Sequence, residues 1–328
     1  MKVLLVTGGA GFIGSNFIKY FLETNTDFMI VNYDKLTYAG NLQNLKEVEK
    51  HMRYHFIKGD ICDRKQFNKV LNEYNPDYII NFAAESHVDK SINGPSIFGQ
   101  TNFIGTLNLL ECVQNFWNKN NCYDKRFLQI STDEVYGNTE NDQDYFTENS
   151  NLLPNNPYSA TKAGADLLIR AFFKTYGLPV MITRSCNNYG PYQYKEKFIP
   201  TCISKAINNQ PIPIYGDGTN VREWIHVLDH SSAIVQVLFH GIPGEVYNIG
   251  SGEEITNIDM AKMILTTLGK SQDAIIKIHD RLGHDKRYAL DNHKIKNNLK
   301  WSCSYKLYEG MIETIKWYQD HRTWWADS

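Results

Sequence analysis

Short apolar runs alternate with amphipathic segments along the first half of the chain. The runs are rich in β-branched residues, and such runs are typical of strands buried on both faces of a parallel sheet. The segments between them repeat apolar residues at the spacing of a helix. We predict strands at residues 2–6, 28–33, 54–57, 77–82, 127–130 and 178–184, and helices at residues 64–74, 101–117 and 158–176. This alternation favours an α/β fold, a doubly wound parallel sheet with crossover helices.

The pattern changes past residue 185, where elements shorten and four prolines gather between residues 191 and 213. We predict a strand at 221–227 that returns to the first domain, a helix at 229–239, a strand at 246–249, and helices at 258–268 and 306–318. The chain thus divides into a nucleotide-binding domain, 1–185 with a returning segment near 221–250, and a smaller mixed α/β substrate domain, mainly 186–328. A cleft between two such parts is a common place for a ligand.

The composition is that of an ordinary globular protein and argues against several classes. Hydrophobic residues make up 42% of the 328 residues and the net charge is −2, so the basic surplus of a nucleic-acid-binding protein is missing. No run approaches the roughly 18 apolar residues of a membrane span, and the first residues lack a signal-peptide pattern. The 6 cysteines form no C-x-x-C pair. We therefore expect reduced thiols, no metal site and a cytoplasmic protein.

A glycine-rich turn follows the first predicted strand and precedes apolar residues at helical spacing. Its glycines are Gly8, Gly11 and Gly14. Strand, glycine-rich turn and helix form the context of a dinucleotide fingerprint in a Rossmann-type fold. Gly8 permits a tight turn, Gly11 lets the backbone approach a pyrophosphate, and Gly14 lets the helix pack against the strand. The alternative is a simple turn.

Polar and small residues follow the next predicted strands, where the rest of a dinucleotide is expected. Asp34 lies twenty residues past Gly14, at the usual position of the ribose 2′-hydroxyl partner. A carboxylate there repels a 2′-phosphate, so the pattern favours NAD over NADP; a solvated strand end is the alternative. Asp60 can bond an adenine amino group or form a plain turn. Ala83 and Ala84 leave room for a flat ring.

Two groups of residues have the chemistry of acids and bases. Tyr158 and Lys162 share a helix face, and a cation beside a phenol lowers the tyrosine pKa and makes it a usable base. Thr132, Asp133 and Glu134 end the fifth predicted strand, at the sheet edge where ligands bind. Such adjacent carboxylates can divide the roles of acid and base. The alternatives are a plain helix pair, and a capping Asp beside a solvent-facing Glu.

Amide and cationic side chains follow in the second half. Asn187 and Asn188 offer amide contacts, and Lys197, Arg222 and Arg287 are candidates for binding a diphosphate. Guanidinium groups bind phosphate oxygens in a bidentate manner. Each of the three is individually also consistent with a surface salt bridge. His87 and His284 are not at metal-ligand spacing.

These motifs resemble the extended short-chain dehydrogenase/reductase family and, within it, the nucleotide-sugar 4,6-dehydratases that act on dTDP-glucose. The resemblance runs through TGGAGFIGSNF, DKLTYAGN, FAAESHVD, STDEVYG, YSATKAG, NNYGP, YGDG, VREWIHV and GHD-x-RY. It implies that Tyr158 and NAD oxidise the sugar at C4 while Thr132 orients the hydroxyl. Glu134 would then remove the C5 proton, Asp133 would protonate the departing 6-hydroxyl, and the hydride would return to C6.

The resemblance also implies contacts that the spacing does not show. Those to NAD involve, besides Tyr158, Lys162 and Asn188, the residues Phe12, Ile13, Lys35, Thr37, Ile61 and Ser86. Those to the nucleotide sugar involve, besides Thr132 and Asn187, the residues Ser86, His87, Pro213, Tyr215 and Asn257.

The family pairs equivalent helices of two subunits into a four-helix bundle, so we expect a homodimer. The apolar residues predicted to supply the contact are Leu107, Leu110, Phe116 and Trp117 on one helix and Leu167, Leu168, Ala171 and Phe172 on the other.

Two kinds of alternative function stay open. The first is another nucleotide-sugar enzyme of the same family, a UDP-sugar 4,6-dehydratase, epimerase or decarboxylase; Asp133 argues against the last two. The second is a regulatory protein that senses NAD without catalysis. The pair of Tyr158 and Lys162 argues against a sensor, which has no need of a base.

Overall fold

The computed structural model describes residues 1–119, 124–139, 141, 143–280 and 282–326, so Cys122 lies outside the described residues. The strands in this part of the chain are β1 (Lys2–Thr7), β2 (Phe28–Asp34), β3 (Tyr54–Lys58), β4 (Tyr78–Asn81), β5 (Arg126–Thr132), β6 (Val180–Ser185), β7 (Asn187–Tyr189), β8 (Ile212–Tyr215), β9 (Val221–His226), β10 (Val246–Ile249), β11 (Glu254–Thr256) and β12 (Ile275–Ile278).

The helices of the described residues connect these strands. They are α1 (Phe12–Thr24), α2 (Arg64–Tyr74), α3 (Val88–Asn93), α4 (Pro95–Phe98), α5 (Thr106–Lys119), α6 (Pro157–Tyr176), α7 (Phe198–Ile207), α8 (Val227–His240), α9 (Asn257–Thr267), α10 (His293–Leu299), α11 (Leu307–Asp320) and α12 (Arg322–Ala326). No helix in the described part of the chain is both long and apolar enough to cross a membrane.

Seven parallel strands form the main sheet, in the order β10-β6-β5-β4-β1-β2-β3. The chain runs outward from β1 to β3 and then crosses back to β4 on the other side of β1. The strand order therefore reverses between β1 and β4, and the crevice at the carboxyl ends of these strands is where ligands of such sheets bind. The predicted Rossmann-type fold is confirmed.

The alternation of side chains along β1 shows why both faces of the sheet are apolar. Leu4 and Val6 point into a core layer shared with α1 and α8, whereas Val3 and Leu5 join a second layer with α2, α5 and α6. Successive side chains of a strand face opposite sides, so a continuous apolar run fills both layers. The sheet is thereby covered by helices on both faces and leaves its carboxyl-terminal edge accessible.

The second half of the chain builds a smaller unit beside this edge. β9 pairs with β7 and β11 in a three-stranded sheet, and β8 pairs with β12. The helices α7, α9 and α11 pack over a separate apolar cluster. The predicted strand at 221–227 is present as β9, but it pairs with β7 and β11 rather than with a strand of the main sheet. Helix α8 and strand β10 do return to the main sheet; the division into two domains stays a prediction.

The segment before α5 also differs from the expected regular helix at 101–117. Residues Gly99–Gly105 form a wider π-helical segment, and α5 begins at Thr106. Asn102 in this segment is buried and binds the loop after β4 through two hydrogen bonds. Its side chain accepts the Glu85 N–H at 2.8 Å and donates to the Glu85 carbonyl at 3.0 Å. The irregular turn therefore fixes a loop at the carboxyl-terminal edge of the sheet, and π-helical turns often occur at functional sites in proteins.

Candidate active site

Two adjoining cavities, of about 300 and about 270 Å³, open at the carboxyl ends of the main strands. The first is lined by every residue predicted to contact NAD and by all five predicted catalytic residues. The second is lined by His87, Pro213, Tyr215, Arg222 and Asn257. Ser86, Asn187 and Lys197 line both cavities, together with Glu134. The fold thus gathers the predicted residues, apart from Arg287, into one continuous site.

The glycine-rich turn has the shape that a dinucleotide requires. Gly8 has a φ of +70°, and a Cβ there would lie 2.5 Å from the Ala83 nitrogen. A Cβ at Gly14 would lie 2.5 Å from the Gly8 carbonyl oxygen, whereas one at Gly11 meets only that oxygen, at 3.4 Å, among the described residues. Gly11 therefore leaves open space at the start of α1, where no described side chain caps the helix. The backbone N–H groups at the start of a helix attract anions, so this open space fits a pyrophosphate.

Asp34 and Asp60 supply the polar end of the first cavity. The Asp34 carboxylate accepts the N–H groups of Ala10 at 2.9 Å and Leu36 at 2.7 Å. Burial raises its pKa, although these two hydrogen bonds act in the opposite direction. Asp60 is paired with Lys35 at 2.7 Å and accepts the Cys62 N–H at 2.9 Å. Burial acts to raise the Asp60 pKa, but Lys35 and the hydrogen bonds from Cys62 together outweigh it and lower the pKa. Both carboxylates keep further acceptor sites for ligand hydroxyl or amino groups.

The triplet at the end of β5 forms a tight turn around the Thr132 hydroxyl. This oxygen accepts the Glu134 N–H at 3.3 Å and donates to Asp133 Oδ1 at 3.1 Å. Asp133 is 1% exposed, and its Oδ2 has no hydrogen-bond partner among the described residues. Burial, followed by the charges of Glu134 and Glu223, raises the Asp133 pKa well above its usual value. Asp133 is therefore suited to hold a proton that it can donate into the cavity.

Glu134 occupies a more open position than Asp133. It is half-buried and lines both cavities. The Asn156 side-chain amide lies 3.5 Å from Glu134 Oε2, and Asn156 also caps the start of α6 through a reciprocal capping box with Ser159. The two adjacent carboxyl groups thus have different environments, which is how an acid and a base can share one site.

Tyr158 and Lys162 lie on the first turns of α6, facing the same cavity. The Lys162 ammonium donates to the Ile130 carbonyl at 2.6 Å, and burial lowers the pKa of Lys162 to about 8. Burial and then the charges of Glu134 and Asp133 raise the Tyr158 pKa. The expectation of a lowered tyrosine pKa is therefore wrong for the protein's own groups, because burial and two nearby carboxylates dominate the Tyr158 pKa.

Arg222 and Arg287, both predicted to bind a diphosphate, have different surroundings. Arg222 lines the second cavity and lies over the Tyr288 ring, 4.5 Å from its centroid. Arg287 is absent from the described lining of both cavities and forms a bidentate pair with Glu254, at 2.6 and 2.8 Å. It also donates to the Asp144 carbonyl at 2.7 Å. Arg287 thus lies outside the described lining of the two cavities, with its guanidinium bound by a carboxylate on β11, and its contact with a substrate stays a prediction.

Other residues of the site were not singled out from the sequence. Glu196 lines both cavities and binds the Lys90 ammonium at 2.7 Å. Asn156 and Asn102 act through hydrogen bonds to Glu134 and to the loop after β4. The pair Asn156-Pro157 carries the signal of a helix N-terminus, but neither spacing nor residue type indicates the contact with Glu134.

Comparison with known proteins decides among the families that share this fold. The family model described as GDP-mannose 4,6 dehydratase matches residues 5–314. A dTDP-glucose 4,6-dehydratase from Neisseria meningitidis serogroup B is 45% identical, over 100% of this chain and 96% of that protein. The chain belongs to the dTDP-glucose 4,6-dehydratase family. The resemblance inferred from the motifs is thereby confirmed.

Solved structures of this family have the same architecture. The dTDP-glucose 4,6-dehydratase of Bacillus anthracis in complex with NAD is 45% identical, covers 100% of this chain and 99% of its own, and superposes with a TM-score of 0.92. The enzyme from Streptomyces venezuelae, with NAD and TYD bound, is 45% identical over 99% of both chains, with a TM-score of 0.94. Both relatives carry the cofactor that the glycine-rich turn predicts here.

Proposed function

We propose that the protein is an NAD-dependent dTDP-glucose 4,6-dehydratase, which converts dTDP-glucose to dTDP-4-keto-6-deoxyglucose and water. The observation that carries the proposal is the acid pair at the end of β5. Asp133 is buried and has a raised pKa, whereas Glu134 is half-buried beside it, and both share the cavity with Tyr158. An epimerase has no use for an acid at this position, and a sensor has no use for a base.

The first cavity would hold NAD, with the pyrophosphate at Gly11 and a ribose at Asp34. When bound, NAD supplies a positively charged ring that favours ionisation of a nearby phenol, accepts a hydride from C4 and returns it to C6. Tyr158 would take the proton of the 4-hydroxyl, and the Thr132 hydroxyl, itself fixed by Asp133 and Glu134, would orient the sugar. Lys162 holds the start of α6 against the Ile130 carbonyl.

The acid pair would act once C4 is a ketone, because only then is the C5 proton acidic. Glu134 removes that proton, and Asp133 donates its own to the departing 6-hydroxyl, so that water leaves and a C5–C6 double bond forms. Glu134 then returns a proton to C5 as the hydride reaches C6. One carboxyl must begin ionised and the other protonated, which is the division that the different burial of the two groups supports.

The second cavity would bind the nucleotide. Asn187 and Lys197, which line both cavities, and Arg222, which lines the second, would contact the diphosphate. Pro213 and Tyr215 would contact the base. His87, Ser86 and Asn257 complete the predicted set on this side. Arg287 would act at a distance, by anchoring the segment near Asp144.

The direct test is incubation of the purified protein with dTDP-glucose, followed by alkali, which develops the chromophore of a 4-keto sugar. We expect the chromophore without net formation of NADH, because the hydride returns to the product. A parallel reaction with UDP-glucose shows which nucleotide base, thymine or uracil, the protein prefers. A 4-epimer without a 4-keto product would indicate an epimerase, and NAD binding without turnover of either sugar would indicate a sensor.

Asp34 should determine the choice of NAD over NADP. We expect Asp34→Ala to weaken NAD binding by roughly 1–3 kcal/mol, because a charged acceptor of hydrogen bonds is lost. Asp34 also holds the Ala10 and Leu36 N–H groups, so a general loosening of the turn must be distinguished. Titration of the variant with NAD and with NADP distinguishes the two effects. If Asp34 acts on the ribose, the preference for NAD over NADP should fall. Preference of the unmodified protein for NADP would overturn the assignment.

We also propose a homodimer formed through α5 and α6. The apolar surface differs from the predicted set, since Leu110 and Trp117 are fully buried within the chain. Exposed apolar side chains nevertheless remain: Leu167 on α6 is 57% exposed, and Ile104, in the π-helical segment before α5, is 43% exposed. A two-fold pairing of these helices would cover them.

Light scattering at micromolar concentration should give the mass of two chains. Leu167→Glu should convert the dimer to a monomer, because a charge would then be buried in the contact. Ile312→Glu on α11, where Ile312 is 40% exposed, is the matched control and should stay dimeric. A monomeric unmodified protein would refute the proposal.

The proposed location is the cytoplasm. The described cysteines, Cys62, Cys112, Cys186, Cys202 and Cys303, are all free thiols, which is typical of a reducing compartment.

A further inference from the structure

The helix α12, at the end of the described chain, contacts Asn44, a neighbour of the glycine-rich turn, through Trp324. The Trp324 ring packs against Tyr192 and Trp317, with centroid distances of 5.7 and 5.2 Å. Its indole N–H donates to the Asn44 side-chain oxygen at 2.9 Å. Asn44 and Trp324 are 280 residues apart in sequence, so this hydrogen bond joins the C-terminal helices to the cofactor side of the main sheet.

Asn44 in turn binds the glycine-rich turn directly. It is 2% exposed and lies in a short 3₁₀ turn, Leu42–Leu45. Its side-chain amide donates to the Ala10 carbonyl at 3.0 Å, and the Asn41 N–H donates to the same carbonyl at 3.0 Å. The two donors fix the peptide that immediately precedes Gly11.

Asp34 binds the preceding peptide group, between Gly9 and Ala10. The Ala10 N–H donates to Asp34 Oδ2 at 2.9 Å, so the carbonyl is fixed by Asn44 and the N–H by Asp34. The intervening segment carries Thr37 and Gly40, which line the first cavity. A chain of hydrogen bonds thus runs from Trp324 through Asn44 and Ala10 to Asp34.

We propose that Trp324 is a positioning residue for the dinucleotide. It holds Asn44 in the orientation that fixes the Ala10 carbonyl, and thereby keeps the glycine-rich turn and the Asp34 carboxylate in the geometry that binds the cofactor. The inference rests on the proposed binding of NAD. It concerns retention of the cofactor and leaves the chemistry at β5 and α6 untouched, because none of the linked residues belongs to the acid pair or to the Tyr158 site.

The neighbouring tryptophan offers a matched control. Trp325 is buried, and its indole N–H donates to the Tyr318 carbonyl on α11 at 2.8 Å. Trp324→Phe and Trp325→Phe therefore remove the same atoms from adjacent positions of one helix. Only the first removes the hydrogen bond to Asn44. Comparison of the two variants therefore corrects for the general effect of replacing a tryptophan ring by a phenyl ring in this helix.

The experiment measures how fast the holoenzyme loses NAD. Each protein is saturated with NAD, diluted into buffer without it, and sampled for remaining bound NAD; kcat is measured separately at saturating NAD. Trp324→Phe should lose NAD roughly 2- to 10-fold faster than Trp325→Phe, the range for one hydrogen bond. The kcat of both should match the unmodified protein. Trp324→His, which keeps a ring N–H, should restore part of the retention.

A second substitution tests the other half of the link. Asn44→Asp keeps the oxygen that accepts from Trp324 but removes the donor to Ala10, so it should also speed NAD loss, and Trp324→Phe should add little to it. If Trp324→Phe is insoluble, Asn44→Asp decides. Equal NAD loss from both tryptophan variants, or unchanged retention in Asn44→Asp, would overturn the inference. Failure of the unmodified protein to bind NAD would instead remove the proposed cofactor, whereas NAD retention without dehydration would leave the inference standing.

Discussion

The Glu134→Gln variant should oxidise its substrate and then stop. With Tyr158 intact, C4 oxidation proceeds, but no carboxylate is present to remove the C5 proton. Enzyme-bound NADH should therefore accumulate on mixing with dTDP-glucose, and exchange of the C5 hydrogen with solvent deuterium should disappear. Overall turnover should fall by ~10²–10⁴-fold, the usual contribution of a positioned base. Stopped-flow absorbance of NADH and mass-spectrometric deuterium uptake measure the two effects.

Asp133→Asn is the companion variant and should block a later step. It keeps an oxygen that can accept from Thr132 and replaces the unpartnered Oδ2 by an amide, so the turn should be retained. The C5 hydrogen should still exchange, because Glu134 remains, while little product forms without a proton for the 6-hydroxyl. If Glu134→Gln exchanges C5 normally, or Asp133→Asn makes product at the original rate, the assignment of the acid pair is wrong. These results would then favour an epimerase over a dehydratase.

Tyr158→Phe should prevent even the first oxidation, leaving no NADH signal on mixing. The ring would keep its edge contact with Phe98, whose centroid lies 6.5 Å away, so the loss is confined to the hydroxyl. A decrease of ~10²–10⁴-fold in turnover is expected for a missing base. Because burial and the acid pair raise the Tyr158 pKa, the oxidation rate in the unmodified protein should increase with pH as the phenol ionises.

A control for this variant is Tyr54→Phe, which removes another buried hydroxyl. Tyr54 accepts from the Asn32 side chain at 2.9 Å in the core beside β2. It should leave turnover largely intact, and both variants should retain NAD. NADH formation by Tyr158→Phe at the normal rate would show that another group is the base.

The sequence predicted the main sheet well because its strands are buried on both faces, so local apolar runs mark them. β10 was predicted at its observed bounds for this reason. The sheet that β9 joins was not predictable in the same way, because its pairing with β7 depends on residues that are distant along the chain. The π-helical turn before α5 likewise arises from packing and from the Asn102 hydrogen bonds rather than from propensity.

The candidate site shows the same limit. Residue types at the strand ends and the helix spacing of Tyr158 and Lys162 were sufficient to predict which residues gather. They could not predict the electrostatics, since the Tyr158 pKa depends on the distances to two carboxylates on another element. Nor could they show that Glu254 would bind Arg287, because an arginine near a phosphate site and one in an ion pair look alike in sequence.

Asn156 contributes both to the stability of helix α6 and to the environment of Glu134, two properties that mutation can usually alter separately. Its oxygen accepts the Ser159 N–H at 2.9 Å and caps α6, while its amide nitrogen lies 3.5 Å from Glu134. Serine or aspartate would preserve the cap, but the first is too short to replace the amide and the second would place another negative charge beside Glu134. A lineage released from selection for activity could therefore accept either residue and keep a well-folded protein, having lost its chemistry while retaining its architecture.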